Sequence, residues 1–540
     1  MDEFFQAPPR LENQYESDEV LRRWLAHVLP HDTLANIEPG LQKLGLRAVT
    51  DMIEMAADAE AHPPVHVPYD AWGRRIDAID TARGWRALHK VAAEEGIVAT
   101  AYEREHREYS RVHQFARLYL YHPSSALASC PLSMTDGAAR VIELFGNDDL
   151  KRGVLPHLIS RDAETFWTAG QWMTERTGGS DVRTSHTVAC REGEGWRLSG
   201  TKWFTSATTG EIAITLARVE EGGWRDEDLS LFCLKLRDES GMLNNIFLHR
   251  LKDKLGTRAL PTAELTLQGT PAVLVGERGR GIAEISTILN ITRLYNAVAA
   301  VGFMRRGIAL ARDYAGRRRA FGRLLCDQPL HAETLVDLDA EFAGAFHLVF
   351  EMGRLLGRDE CSLADDNERG LLRLMTPVVK LYTAKQAIAV ASEVLECFGG
   401  QGYIEDTGLP ALLRDCQVLS IWEGTTNVLA LDVLRALKRP ELLQILTDDA
   451  RRRLIAAPPA TRGRIEAGIQ AIVEHGARME RVEADERERH ARRFACTLAR
   501  VYGAVLLAEA STRETDRHGE WLAGMLGRWM RDGLSRLSPG

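Results

Sequence analysis

One carboxylate stands just before a helix start in Ile421-Trp422-Glu423-Gly424-Thr425-Thr426-Asn427, and its surroundings suit proton transfer. The segment leading to it, 412–421, is mostly apolar. A carboxyl withdrawn from water there has its pKa raised toward the range of a general base. Thr425, Thr426 and Asn427 suit an N-cap, and Val428, Leu429, Leu431, Leu434 and Leu437 recur at helical spacing. The first turn of such a helix attracts anions. Taken alone, a single Glu before a helix is more often an ordinary solvated residue, so other stretches have to decide.

Three do. In Gln171-Trp172-Met173-Thr174-Glu175-Arg176-Thr177-Gly178-Gly179-Ser180-Asp181, glycines allow a backbone to approach a ring or phosphate, and Thr174 and Ser180 supply hydroxyl donors. By itself such a run is more often a turn. In Gly200-Thr201-Lys202-Trp203-Phe204-Thr205-Ser206, strand alternation predicts that the two aromatics point to opposite faces. Phe204 could then cover a flat ring while Ser206, on the same face, reaches a ring nitrogen; a core strand with one exposed aromatic would look alike. In Tyr314-Ala315-Gly316-Arg317-Arg318-Arg319-Ala320-Phe321-Gly322, followed by Gln328 and by Cys397-Phe398-Gly399-Gly400-Gln401-Gly402, arginines beside an aromatic can clamp a pyrophosphate. Arginine at a helix C-terminus is favoured anyway.

The elements that must position these residues follow from periodicity. Residues 18–167 read as helical with Pro-rich interruptions, and 62–77 as a polar surface loop. From about 170 the period changes to short strands at 196–204, 212–219, 229–236 and 263–267, a small antiparallel β domain. Amphipathic helices at 282–317, 329–356, 371–397 and 427–437 suffice for a bundle. The glycines at 276, 279 and 281 run in the wrong order for a dinucleotide fingerprint and precede no βαβ unit. Beyond Arg439-Pro440 the chain is helical again, with Pro458-Pro459 as a hinge candidate and 480–493 as a solvated helix face. The expected domains are therefore 1–168, 169–277, 278–438 and 439–540.

Bulk properties exclude several classes. A chain of 540 residues with 45% hydrophobic and 27% charged residues has an ordinary globular composition. The net charge of −8 gives no general reason for nucleic-acid binding. Residues 451–540, however, hold 17 Arg, no Lys and 12 acidic residues, about +5, which keeps an anionic partner open for this tail. Eight scattered cysteines without a CxxC pair predict reduced thiols in a cytoplasmic protein. No secretory signal, membrane span or metal-ligand spacing is expected.

In this order, the TExxxGSD-like run, YAxxRxxFG, GGxG and WEGTTN resemble the acyl-CoA dehydrogenase family of flavoproteins over about residues 100–437. The stretches HPP…YDAWGRRID, MTERTGGSD, GTKWF and SIWEGTTN, with the additional helical tail, are most similar to the AidB branch, named for adaptive response to alkylation. The resemblance implies a mainly α fold with a central β domain: an N-terminal helical domain, a β domain and a helical bundle, plus an extra C-terminal helical domain. It implies FAD as cofactor and Glu423 as the base removing the α proton of an acyl-CoA thioester, while a hydride passes from the β carbon to flavin N5, giving a trans-2-enoyl-CoA. The thioester carbonyl would be polarised by the base's own backbone N–H and a ribityl hydroxyl.

The implied flavin contacts are Gln171, Met173, Thr174, Gly179 and Ser180; Phe204, Thr205 and Ser206; Glu396 and Gly400; and Trp422, Gly424, Thr425, Thr426 and Asn427. Arg318, Phe321 and Gln328 would touch the cofactor's nucleotide half from a neighbouring subunit, which implies a homotetramer. Ser180, Arg293 and Gly424 would face the substrate. An electron-transfer flavoprotein is the implied acceptor. The alternative is a flavin- and DNA-binding protein that protects against alkylation, has weak dehydrogenase activity and reaches duplex DNA through its tail. Ala320 stands where Thr is frequent, Phe204 where Trp is, and Glu396 where Gln is.

Overall fold

The computed structural model describes residues 6–537. Helices α1 (Glu19–Val28), α2 (His31–Arg47) and α3 (Asp51–Ala61) precede a hairpin of β1 (Val65–Tyr69) and β2 (Arg75–Asp80). Then come α4 (Arg83–Glu94), α5 (Ala99–Glu103), α6 (Ser110–Tyr121), α7 (Ser129–Phe145), α8 (Asp148–Gly153) and α9 (Leu155–Leu158). The main sheet uses β3 (Ala169–Gln171), β4 (Val188–Glu192), β5 (Gly195–Ser206), β6 (Ile212–Glu221), β7 (Trp224–Lys235), β8 (Ile246–Leu251) and β9 (Thr262–Val275). After α10 (Gly281–Ala315) lie a two-residue hairpin, β10 (Arg319–Ala320) and β11 (Arg323–Leu324), and α11 (Pro329–Glu360), α12 (Asp366–Cys397), α13 (Leu409–Leu419) and α14 (Thr426–Ala436). The tail contains α15 (Glu441–Arg453), α16 (Pro459–Met479), α17 (Ala484–Arg513) and α18 (Arg517–Trp529). These elements divide into a sheet unit, 39–105 with 120–295, and a helical unit, up to 38 with 106–119 and from 296 onward.

In the sheet unit the strand order is β3-β6-β4-β5-β9-β7, with β8 on β9, and β7 returns to pair with β6. The return closes β6-β4-β5-β9-β7 into a ring filled by Trp172, Leu198, Phe232, Leu234, Leu248 and Leu265. A second core packs α7 and the start of α10 on the sheet through Ile142, Leu216, Leu231, Ile285 and Ile288. The sheet is not wholly antiparallel as expected, because β3 and β4 both pair parallel to β6. Parallel neighbours need a long connection, and the loop after β3 supplies one. Strands β3, β4 and β8 were not predicted: at three, five and six residues they are too short to show an alternation.

The supposed surface loop at 62–77 is instead largely the β1–β2 hairpin. Its polar residues are used in stitching it down. His66 Nε2 lies 2.9 Å from Asp77 Oδ1, Arg75 donates to Asp77 and to the Leu248 carbonyl, and Asp77 accepts from the Leu248 N–H.

In the helical unit, Trp24, Tyr119, Phe342, Phe346 and Phe350 form an aromatic core between α1, α6 and α11. Trp529 of α18, fully buried, lies against Gly344 of α11 and Gly503 of α17 and donates to the Arg500 carbonyl at 2.8 Å. A methyl group at residue 344 would come within 2.3 Å of the ring, so that glycine is the notch that receives it. Pro458 and Pro459 start α16 as its N-cap and first residue, where proline's fixed φ suits a helix entry, so the hinge expectation gives way to a helix start. Most side chains of 480–493 are exposed or half-exposed, as a solvated face requires.

Helix α17 is long and apolar enough to cross a membrane by length and composition, and 83% of its apolar window is buried inside the protein. No uninterrupted apolar run announces it, because arginine and glutamate punctuate the helix. Much of the tail's arginine charge is neutralised internally. Arg451 pairs with Glu466, Arg453 with Glu351, Asp449 and Glu509, Arg528 with Glu333 and Asp337, and Arg531 with Asp337.

Within this unit α1, α11, α15 and α17 help to line a cavity of about 1160 Å³ whose wall includes His347, Glu351 and Arg453. Burial opposes ionisation of Glu351, but Arg453 and Arg354 outweigh it and hold the carboxyl below its usual range. For His347, burial pushes the imidazole down to about 3; Arg513 and His518 act in the same direction and Glu351 against it. A histidine whose folded pKa lies below its unfolded value contributes stability above pH ~6.5 that is lost as the pH falls toward the folded value. Lowering the pH from 7.5 to 5 is therefore expected to cost about 2 kcal/mol through this one group. In thermal melts at both pH values, His347→Gln should show a smaller acid-induced drop in Tm. An equal drop would show that the linkage lies elsewhere.

Candidate active site

The Gly-rich stretch leaves β3 as a loop fastened to β5. The Trp203 N–H donates to the Thr174 carbonyl at 2.9 Å, and Trp172 Nε1 donates to the Ser206 carbonyl at 3.0 Å. The sheet unit thus brings Gln171, Met173 and Thr174 together with Phe204 and Ser206. Residues 175–178 close a tight turn by two reciprocal backbone bonds, and Gly178 at φ +135° has a conformation that only glycine adopts easily. Gly179 lies so close to Thr174 that a Cβ would be 2.5 Å from its hydroxyl. Met173 is buried, whereas Gly179 and Ser180 are exposed. Gln171 Oε1 is buried with no hydrogen-bond partner.

An ion pair beneath the loop holds it. Lys202, fully buried on β5, reaches Glu175 at 3.0 Å, and the Glu175 carboxylate also accepts from the His186 N–H and from the N–H and hydroxyl of Thr187. Burial works against the charge on Glu175, yet Lys202 and the Thr187 and His186 donors hold its carboxyl below the usual value. These two residues were not singled out from sequence. The available signal was a lysine at an inward position of a strand, where burial without a partner is prohibitive.

Strict alternation fails at the two aromatics. Lys202 pairs with Leu265 and Thr205 with Ala263, so three steps along β5 match two along β9. This bulge turns Lys202 and Thr205 inward and leaves both Trp203 and Phe204 outside. Both rings meet the same cation, with Lys252 Nζ 4.4 and 4.3 Å from their centroids, instead of facing opposite ways. Phe204 is 52% exposed, enough to present a ring face. Ser206 shares its hydroxyl with Thr262 at 3.1 Å. Thr205 is turned away: its buried hydroxyl donates to the Ala263 carbonyl, so only its backbone remains for the cofactor role expected of it. Arg293 on α10 is buried.

In the helical unit, α13 ends at Leu419 and the chain turns through Glu423 before α14 begins at Thr426. Glu423 is half-buried and left-handed at φ +56°, and Gly424 follows at φ +102°. Thr425 is the N-cap residue, but its side chain makes no capping bond. Thr426 is buried and Asn427 exposed. Lys380, fully buried on α12, donates to the carbonyls of both Trp422 and Gly424, the latter at 2.7 Å. A non-glycine residue in the left-handed region costs about 1–2 kcal/mol. Two hydrogen bonds from a lysine, about 1.5–3 kcal/mol each, outweigh that cost. Lys380 was also missed from sequence, although a lone charge in Thr376-Pro377-Val378-Val379-Lys380-Leu381 is a detectable signal.

The other predicted cofactor residues of this unit cluster around the end of α10. Phe321 and Gly322, both at positive φ, form the turn between β10 and β11 and leave Phe321 98% exposed. Gln328 Nε2 donates to the Ala320 carbonyl at 2.9 Å, and the Arg318 carbonyl accepts from the Leu325 N–H, so one short hairpin carries all three residues. Tyr314 packs on Phe398 with ring centroids 4.6 Å apart, which places the exposed Glu396 and Gly400 at the adjoining corner.

Comparison with known proteins gives the family. Residues 6–165 match the N-terminal domain of adaptive response protein AidB, 170–270 the acyl-CoA dehydrogenase middle domain, and 279–438 the acyl-CoA dehydrogenase C-terminal domain. Acyl-CoA dehydrogenase family member 11 of Caenorhabditis elegans is 42% identical, over 94% of this chain and 86% of its own. AidB of Escherichia coli is 33% identical, over 76% and 74%. The crystal structure of Caenorhabditis elegans ACDH-11 in complex with C11-CoA superposes with a TM-score of 0.96 at 40% identity, covering all of this chain and 94% of that one. With its three family domains in order and relatives along nearly its whole length, this chain is an AidB-like member of the FAD-dependent acyl-CoA dehydrogenase family.

Proposed function

We propose that the protein oxidises an acyl-CoA thioester to a trans-2-enoyl-CoA, with Glu423 removing the α proton. The observation that carries this reading is a half-buried carboxylate held on a left-handed turn, its two flanking carbonyls fastened by one buried lysine. The Glu423 backbone N–H polarises the thioester carbonyl, which makes the α proton acidic enough for a carboxylate to take. Ser180, Gly424 and Arg293 serve the substrate.

The residues present fit FAD. Gln171 Oε1 is a buried acceptor left without a donor, Phe204 offers an open ring face, and Gly178 leaves backbone unshielded. Gln171, Met173, Thr174, Gly179, Ser180, Phe204, Ser206 and the Thr205 backbone would hold the flavin. Glu396, Gly400 and 422–427 would complete its surroundings. When bound, FAD supplies a hydride acceptor for the β carbon. Phe321, almost wholly exposed on a turn, suits cover by a second copy of the chain, together with Arg318 and Gln328, in a homotetramer. Electrons then pass to an electron-transfer flavoprotein. The internal ion pairs of Arg451, Arg453, Arg528 and Arg531 favour a scaffolding role for the tail over contact with duplex DNA.

The test is anaerobic mixing of FAD-loaded protein with acyl-CoAs from short branched to long linear chains. Because the worm relative was solved with C11-CoA, bleaching of the flavin is expected to be fastest with chains near that length. Fully loaded flavin that no acyl-CoA reduces would sink the reading.

A further inference from the structure

We propose that Lys380 is a positioning residue for proton abstraction, locking the left-handed turn of Glu423 without touching substrate or cofactor. This rests on the reading of Glu423 as the base. Lys380 sits on α12, separated in sequence by more than forty residues from the turn, yet its Nζ is shared between the carbonyls immediately before and after Glu423. Carbonyls two residues apart can converge on one donor because the residue between them reverses the backbone's hand. The two hydrogen bonds of the lysine therefore favour the left-handed conformer.

Gly424 adds a stop on the other side. A Cβ there would meet Leu429 at 3.2 Å, so the turn is packed against the first turns of α14 and has little room to shift that way. Without Nζ, the left-handed turn at Glu423, φ +56°, loses the two hydrogen bonds from Lys380 that offset its conformational cost, and relaxation toward negative φ carries the carboxylate away from the substrate α carbon. Substrate affinity does not depend on that displacement, so the loss falls on the rate.

Lys380→Met removes both hydrogen bonds with little change in volume. In FAD-loaded enzyme the limiting rate of flavin reduction at saturating acyl-CoA is expected to fall about 100-fold, the penalty of a roughly 1 Å misplacement, while the half-saturating acyl-CoA concentration stays within about threefold, since substrate binding does not use this lysine. Lys380→Gln, which keeps an N–H donor at shorter reach, should fall between wild type and Lys380→Met. A wild-type limiting rate in either flavin-loaded variant overturns the proposal. Failure of both variants to load FAD overturns it too, because the lysine would then be a requirement of the fold. Glu423→Gln, measured alongside, separates the two ideas. If it reduces flavin normally, the base assignment itself is wrong; if it is inactive while Lys380→Met is fast, only the positioning role fails.

Discussion

Glu423→Gln is expected to slow flavin reduction by acyl-CoA about 10³-fold, within the range that a positioned general base contributes, while FAD content and melting behaviour stay near wild type. The amide keeps the size of the side chain and cannot accept the α proton. Hydrogen bonds that run through the backbone also hold the turn, from Lys380 to the carbonyls of Trp422 and Gly424 and from the Trp422 N–H to the Val418 carbonyl. A variant that folds and loads FAD but does not bleach with substrate is thus the expected product. Stopped-flow absorbance gives the rate, and reduction within threefold of wild type would remove Glu423 from the chemistry.

Lys202→Met is expected to be the most damaging single change in the sheet unit, costing about 3–5 kcal/mol because it leaves a buried carboxylate without its counter-charge. Glu175 would still accept from His186 and Thr187, but those neutral donors replace a cation that lies 3.0 Å away. The loss should reach the cofactor face. Glu175 ties the turn that carries Thr174, Gly179 and Ser180 to residues 186 and 187, so the purified variant should hold less FAD per chain as well as melt earlier. Adding Glu175→Gln removes the orphaned charge and should recover most of the stability, a coupling that a double-mutant cycle measures directly. Additive losses would mean that the pair does not act as a unit.

The long helices of the bundle were legible because their apolar residues recur over many turns, and α10, α11, α12 and α14 start or end within a few residues of expectation except at the start of α12. Glu423, the Gly-rich loop and the aromatic strand were legible as motifs. Short strands and the β1–β2 hairpin were not, since Val65–Tyr69 carries a proline and a histidine and announces no core face. The failure at Trp203 and Phe204 is instructive: alternation is a rule about pairing register, and a bulge changes the register at the very residues meant to present a ring. Lys202 and Lys380 remained hidden for another reason. A buried lysine is intelligible only through its partners, and those lie 27 and more than 40 residues away in sequence.

Trp529 also sets an order of events during synthesis. The sheet unit is made from residues 39–105 and 120–295, all of which are synthesised before α11 through α18. The helical unit has no such head start. Trp24 has to wait for Phe346 and Phe350 before either ring covers it, and the notch formed by Gly344 and Gly503 stays open until α18 delivers its tryptophan. A nascent chain stalled before residue 529 carries a finished sheet unit and a bundle that still exposes apolar surface. Such a chain is a natural substrate for chaperones and proteases, and premature termination anywhere in α18 should be read by the cell as misfolding.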